Sequence, residues 1–498
     1  MDHDRSPHGG RGFDTIIVGA GSAGSVLAAR LTEDPARQVL LLDAGPDYRA
    51  DTLPPELATL SRAISWPHDW GNEVTSIRDR RLHYGRGRVV GGSSQTNGGV
   101  AIRAEPDDFV TLPDGWRFDD LLAAFRRSET DVDFGTAPYH GDRGPIPIVR
   151  WPRDTWAPLQ VAFHDACRSL GFADCPDHNA PHTTGVGPIP MNRVERRRMS
   201  NLVVYLEPAR DRANLVVRGD THVRRVVIED GRARGVELVG GNRIDADEVI
   251  VCAGVVQNPL LLWRSGIGPA AAITALGGTS IVDAPDVGAH VTDHYVVTYA
   301  TPIDARLVDD RDPSLQSILR LQAPGSTRGN DLQITPFVRR HADGARSIAM
   351  SVSLQLPEGE GSITPTSLDP DAAAQIAWPF AAIAENIRRI REGYRMAARI
   401  ARATGITTDA DAITRDLDLD DAALDEHIAI EHTAFYHGVG TCRMGVDPAT
   451  SVVDPQCRVH GVAALRIIDA SILPTVPRAN THLAVVALAE HAIATLSL

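Results

Sequence analysis

Cysteine is scarce in this chain and forms no pattern. Cys167, Cys175, Cys252, Cys442 and Cys457 are the only five. They show no CxxC spacing and none of the density of a small secreted scaffold, so reduced thiols are expected. Neither HExxH nor any clustered Cys/His pattern occurs, which leaves no metal in the reading. Apolar runs stay short of the roughly 20 residues that span a bilayer, so no transmembrane segment is expected. The opening MDHDRSPHGGRG lacks the apolar centre of a secretory signal, which makes residues 1–12 a disordered tail and the cytoplasm the expected compartment. Excess positive charge is lacking too. A net charge of -14 provides no basic surface for a phosphate backbone, which excludes nucleic acid as a partner, and the local run Arg196-Arg197-Arg198 reads as a solvated face. The remainder, 43% hydrophobic and 23% charged over 498 residues, is ordinary for a globular protein and too long for one core, so two interleaved domains are expected.

The densest signal lies between Phe13 and Gly45. An apolar run, Thr15 to Val18, enters Gly19-Ala20-Gly21-Ser22-Ala23-Gly24, and a helix-like segment continues through Leu31. A second apolar run, Val39 to Leu42, ends in Asp43, about twenty residues past the last glycine. Strand, glycine turn, helix and terminal acid together predict dinucleotide binding. Gly19 permits the tight turn, Gly21 lets backbone approach a pyrophosphate, and Gly24 lets helix and strand pack closely. The helix N-terminus presents unpaired N–H groups to the negative charge, and Asp43 is placed to hold ribose hydroxyls. A second glycine-rich segment, Gly85 to Gly99, carries six glycines in fifteen residues. By itself it fits a further cofactor contact or a flexible loop equally well.

Other segments are less diagnostic. Ala44 to Arg80 is loop-rich, with Tyr48, Trp66 and Trp70 expected to pack. Helical spacing runs from Trp116 to Phe134, from Trp156 to Leu170 and from Ala381 to Thr404. Asn214 to Val251 alternates apolar and polar residues around an Asp230-Gly231 turn, which predicts a small meander ending in the buried strand before Ala253-Gly254. Strand-like runs at Val296 to Tyr299, Leu332 to Ile334 and Ile348 to Leu356 suggest an antiparallel sheet, and the acidic stretch Asp409 to Asp425 reads as a solvated surface.

GGSSQTNGG after GAGSAG resembles the N-terminal signature of the glucose-methanol-choline (GMC) oxidoreductases, a family of FAD flavoproteins. Ala253 to Gly268 resembles the second signature, with Asn258 where Ser or Thr is usual. Val287 to His294 resembles VGxNLxDH, with His290 and Thr292 as departures. Phe435 to Gly445, Leu465 to Ser471 and Pro477 to His482 resemble the C-terminal signatures, with Gly438 in place of a proline. The resemblance implies an α/β fold in which a discontinuous Rossmann-like FAD-binding domain (13–150, 200–293 and 431–498) carries a second, α+β substrate domain with an antiparallel sheet (294–430, with a cap segment 151–199). Carried over residue by residue, it puts catalysis at His437 and Asn480. It puts non-covalent FAD contacts at Gly19, Gly21, Gly24, Asp43, Ala44, Val89, Gly91, Asn97, Gly98, Val100, Val223, Asp469, Ala470, Thr481 and His482. Thr96 occupies the place of the histidine that covalently flavinylated relatives carry. His432 and His491 read as structural, and His482 as a neighbour of the flavin ring.

The implied activity is oxidation of an alcohol to an aldehyde or ketone. Imidazole can take the hydroxyl proton, the Asn480 amide can hydrogen-bond the developing alkoxide, and FAD accepts the hydride. Electrons would leave to a separate acceptor, as in the bacterial dehydrogenases of the family, or to oxygen, as in its oxidases. A hydroxynitrile lyase of the same fold is the non-redox alternative, separated by whether substrate bleaches the flavin. The ETDVDF and HGDRGPIPIVR segments also resemble the branch associated with the redox peptide cofactor mycofactocin.

Overall fold

Two parallel runs of largely apolar sequence form the centre of the larger sheet. In the computed structural model, which describes residues 12–60, 68–309, 311–341, 344–496 and 498, Phe13–Val18 pairs in parallel with Val39–Leu42 on one side and with Arg243–Val251 on the other. Every residue of Val39–Leu42 is buried, as expected for a strand covered on both faces, where alternation gives way to a continuous apolar run. The tail expected over 1–12 and the packing of Trp66 fall, Gly12 aside, outside the described residues.

Arg243–Val251 shows why part of its sequence alternates and part does not. Its first half pairs antiparallel with the hairpin strand Arg232–Leu238 and is alternately exposed. Its last three residues are buried and pair in parallel with Leu465–Ile467, brought back from the far end of the chain. The hairpin turns on Asp230 and Gly231, with φ of 51° and 70°, the left-handed pair that matches strand twist. The expected meander is shorter than its sequence suggested. Leu215–Arg218 leaves it to form the parallel edge beside Val39–Leu42, because its carbonyls and amides meet that open edge rather than the hairpin.

The second sheet is six-stranded and antiparallel, in the order Thr433–Ala434, Tyr295–Pro302, Arg346–Leu354, Leu332–Arg340, Ser317–Leu321, Gly185–Pro188. The amphipathic helix Ala384–Ala403 packs on it, burying Ile387, Ile390, Tyr394 and Ile400. Its edge strands come from outside 294–430. Asn72–Thr75, well before residue 150, pairs with Ala374–Ala377. The segments therefore interleave more finely than the expected ranges, because edge pairing is decided by spatial approach. The helix expected over Trp116 to Phe134 covers Phe118–Ser128, after which Glu129–Asp131 is a strand held by Ile146–Val149.

The chain has no lysine, so all 50 of its basic residues are arginine, and several are fully buried. Arg198 is 0% exposed, which corrects the solvated-face expectation at that position. Its guanidinium donates to the carbonyls of Asn97 and Gln95 at 2.9 Å each and to Leu57, a multidentate task that suits a planar fork. Burial lowers its pKa to about 10, so it stays charged.

A buried ion-pair lattice takes up Glu129, Asp131, His140 and Arg150 of the two segments that resemble the mycofactocin-associated branch. Glu129 accepts from Arg103 at 2.5 Å, Asp131 from Arg150 at 2.9 Å and Asp177 from Arg150 at 2.8 Å. His140 bridges Glu129 at 2.7 Å and Asp177 at 3.0 Å. Burial opposes charge on His140, but its bonds to Asp177 and Glu129 prevail and raise its pKa to about 9. Three carboxylates thus face two guanidiniums and an imidazolium. Glu129, Asp131 and His140 approach one another as metal ligands could, with the arginines already bonded to both carboxylates.

Candidate active site

The two glycine segments meet. Gly19 has φ of 99°, and a Cβ there would lie 2.5 Å from the Cys252 carbonyl. Gly92 has φ of 53°, and its Cβ would lie 2.7 Å from Gly21 Cα, while Gly91 N donates to Ala20 O at 2.8 Å. The second segment is therefore seated on the first turn, which removes the flexible-loop alternative. Beside this junction runs an elongated cavity. The N-termini of Ser22–Leu31, Gly254–Arg264 and Thr481–Thr495 converge on it, and none has a side-chain cap bond. Such ends favour an anionic group.

Gly24, Val89 and Gly91 do not line the cavity; all the other expected cofactor residues do. Gly24 acts in packing, since a Cβ there would meet Gly19 O at 1.9 Å. Val89 is fully buried, and Gly91 is committed to Ala20. Asp43 faces the cavity while accepting from Ala20 N at 2.9 Å and Gly45 N at 2.8 Å. Burial pushes its carboxyl up to about 6, with those two amides opposing. Asp469 is also an internal lock. It accepts from Gly254 N at 2.7 Å, Asn258 Nδ2 at 2.8 Å and Ser471 Oγ at 2.6 Å. The asparagine departure at 258 thereby ties the returning C-terminal strand to the helix it meets.

His482 tests whether this wall suits a flavin nucleotide. Its Nε2 bonds Asn201 Oδ1 at 2.9 Å, whereas its Nδ1 is buried without a protein partner. Burial holds its pKa down at about 4, so the ring is neutral. Because Nε2 must donate to a carbonyl oxygen, Nδ1 is an acceptor left without a protein partner, on a residue that lines the cavity. A ligand with N–H and hydroxyl donors, a pyrophosphate for the open helix ends and ribose hydroxyls for Asp43 matches the donor set present.

At one end of the cavity His437 and Asn480 come together, with His437 Nε2 3.1 Å from Asn480 Nδ2. The histidine is closely held. Its backbone N donates to Asp293 Oδ1 at 2.8 Å, and its Nδ1 lies 2.9 Å from His294 Nδ1. The Phe435 ring stands edge-on, with centroids 4.8 Å apart. The preceding Tyr436 has φ of 66°, a left-handed conformation disfavoured for an aromatic residue, and its carbonyl accepts from Arg86 Nη1 at 2.6 Å. Arg86 Nη2 bonds Tyr84 Oη at 2.5 Å, and Tyr84 Oη donates to Asp293 Oδ2 at 2.9 Å. Burial, then His294, then Arg86 push the His437 pKa well below its ordinary value. The imidazole is neutral at pH 7.

Tyr84, Arg86, Asp293 and His294 were not assigned to the site by sequence reasoning. Asp293 and His294 lie in the recognised VGAHVTDH segment, which was a signal without a role. His432 and His491 lie off the cavity. The first bonds Ser76 Oγ at 2.7 Å and the second packs edge-on against Trp116.

Comparison with known proteins identifies the family. Two GMC oxidoreductase models match residues 13–296 and 357–489. The chain is 37% identical to a GMC-type oxidoreductase of Rhodococcus erythropolis, over 97% of this chain and 98% of that one. It is 31% identical to 5-(hydroxymethyl)furfural oxidase of a Methylovorus species, over 96% and 97%. It is 32% identical to oxygen-dependent choline dehydrogenase of Xanthomonas campestris, over 96% and 94%. Among solved structures, pyridoxine 4-oxidase from Mesorbium loti superposes with a TM-score of 0.87 at 29% identity, over 97% and 98%. Interlocked glycine segments, open helix ends around one cavity and matches along both halves of the sequence lead to one conclusion: the chain belongs to the GMC oxidoreductase family and is an FAD-binding oxidoreductase.

Proposed function

We propose that this protein oxidises the CH–OH group of an alcohol to an aldehyde or ketone, with His437 as base and Asn480 as the oxygen-binding partner. The observation that carries the proposal is His437 Nε2 facing Asn480 Nδ2 at 3.1 Å in the cavity wall. A substrate hydroxyl arriving beside the pair and replacing their direct bond can donate to the Nε2 lone pair and accept from the amide, which keeps its bond as alkoxide charge develops. Bound FAD supplies the hydride acceptor. Gly19, Gly21, Asp43, Ala44, Asn97, Gly98, Val100, Val223, Asp469, Ala470, Thr481 and His482 hold it in this proposal, all of them lining the cavity. A separate electron acceptor belongs to the same proposal and rests on resemblance to the bacterial dehydrogenases of the family, and a link to mycofactocin rests on the resemblance of residues 129–134 and 140–150. Glu129, Asp131, His140 and Arg150 of those segments lie in the buried lattice, and neither segment lines the cavity.

Anaerobic flavin reduction tests this with benzyl alcohol, furfuryl alcohol, 1-butanol and choline. Bleaching by an alcohol excludes lyase chemistry. With the fastest alcohol, His437→Gln should keep FAD and lose roughly 10²–10⁴-fold in rate, and Asn480→Ala roughly 10²-fold or more. Only neutral imidazole accepts the proton, so the parent rate should rise with pH through an apparent pKa below 6.5 and level off by pH 7. Asn480→Ala should keep that limb and His437→Gln should lose it. A His437→Gln enzyme that bleaches at the parent rate refutes the assignment. Rapid hydrogen peroxide formation in air overturns the separate acceptor.

A further inference from the structure

A base must present a lone pair, and an imidazole has two tautomers, only one of which presents it at Nε2. In the other, His437 would aim an N–H at the Asn480 amide and at an incoming hydroxyl, where nothing could accept it productively. Something must select between them.

The selector is legible in His294. Its side chain is fully buried and outside the cavity lining, and its two nitrogens are both engaged: Nε2 with the Pro477 carbonyl at 2.8 Å and Nδ1 with His437 Nδ1 at 2.9 Å. A carbonyl only accepts, so Nε2 carries the proton. Burial holds the His294 pKa down at about 3, with the Pro477 and Gln355 backbones opposing, so the ring has no second proton and Nδ1 is a bare lone pair. Two nitrogens 2.9 Å apart share one hydrogen, which therefore sits on His437 Nδ1. The carbonyl that starts this chain is itself fixed. Arg478, next to Pro477, is buried and donates through its backbone N to Asp108 Oδ2 at 3.0 Å and through Nε to Asp108 Oδ1 at 2.8 Å.

We propose that His294 is a positioning residue that reads the Pro477 carbonyl and transmits it as the Nδ1–H tautomer of His437, leaving the Nε2 lone pair aimed at the substrate. The proposal rests on His437 being the base. Among the described residues, the titratable and charged groups around His437 are His294, Arg86, Asp293 through the backbone amide, Tyr84 and Tyr436. Among the described residues no carboxylate is hydrogen-bonded to the imidazole ring. His294 therefore orients by a neutral hydrogen bond, which lets the base be directed without raising its pKa as a carboxylate partner would.

Two measurements on holoenzyme test this. The first needs no substrate. In protein carrying ¹⁵N-labelled histidine, the His437 signal, identified by its loss in His437→Gln, should show a proton on Nδ1 and none on Nε2. Its N–H proton should be low-field and protected from exchange. A proton on Nε2 overturns the proposal without any change to His294. The second is flavin reduction by the fastest alcohol of the four above. His294→Leu should lose on the order of 10²-fold and distort the pH limb. His294→Asn places an amide oxygen near the Nδ1 position and should recover to within roughly tenfold of the parent. Parent behaviour in His294→Leu refutes the proposal, and so does His294→Asn as slow as His294→Leu, since that marks a packing role. FAD content should match the parent in both variants. If His437→Gln itself keeps the parent rate, the base assignment fails. If only the His294 variants are neutral, that assignment stands and this one falls.

Discussion

Gly438 stands where the family resemblance expects proline, and the structure supplies a reason that can be tested by alanine. A Cβ on Gly438 would lie 2.2 Å from Tyr84 Oη and 3.0 Å from Arg86 Nη2. Proline would put its own Cβ in the same place. Tyr84 is fully buried and its hydroxyl is tied to Asp293 and Arg86, so it has nowhere to swing. Gly438→Ala must then either displace the tyrosine, losing a hydrogen bond to a charged group worth about 1.5–3 kcal/mol, or move the loop at an overpacking cost of about 1–3 kcal/mol. About 2–3 kcal/mol in a chain of this length corresponds to a fall of about 2–3 °C in Tm. Loop movement also carries His437, the adjacent residue. A displacement approaching 1 Å costs roughly 10²-fold, so flavin reduction should suffer more than stability does. Removing the obstacle should relieve this. In Tyr84→Phe/Gly438→Ala the collision with Oη is gone, and the double variant should be better than the sum of the two single changes by about 1–3 kcal/mol, the size expected for residues in contact. Thermal unfolding of the four holoenzymes, with anaerobic flavin reduction of each, gives the cycle. Strict additivity, or Gly438→Ala with parent Tm and parent rate, would show that Tyr84 does not set the residue at 438.

Three further outcomes are expected. Ser93–Thr96 lines part of the cavity and contains no histidine, so FAD should be released into the supernatant on acid precipitation; yellow colour retained in the pellet would show a covalent link. Asp43→Ala should lower FAD content. Because it also strips the acceptors from Ala20 N and Gly45 N, it should lower the Tm of apoprotein too, and a holo-minus-apo Tm gap equal to that of the parent would remove Asp43 from ribose binding. The His140 lattice should make stability fall in alkali. Its folded pKa, about 9, exceeds the ordinary 6.5, so its contribution is complete below about pH 6.5 and is lost as pH rises through about 9. His140→Gln should flatten Tm between pH 7 and 10, and an unchanged alkaline decline would refute this.

Long contiguous signals were readable without coordinates. Phe13 to Asp43 carries strand, turn, helix and acid within one local unit, and each glycine there answers a backbone constraint a few residues away. His437 and Asn480 were reached through the resemblance of their segments. What failed to show were residues whose task is defined by a distant partner. Arg198 looked like one of three surface arginines until the carbonyls of Leu57, Gln95 and Asn97 closed around it. Leu215–Arg218 looked like the start of a meander until an open parallel edge took it.

By itself the sequence determined that a dinucleotide fold is present, where its phosphate turn lies and which histidine and asparagine stand in the signature positions, because these depend on local spacing and on residue type. The tertiary structure alone decided what surrounds that histidine. His294 and His437 are separated by 143 residues, Tyr84 reaches Gly438 from the other end of the chain, and Asp108 clamps the loop that carries Pro477. A tautomer, a depressed pKa and the space for one missing Cβ are set by hydrogen-bond partners and close contacts across the fold. Those are consequences of where chains meet rather than of what precedes and follows each residue.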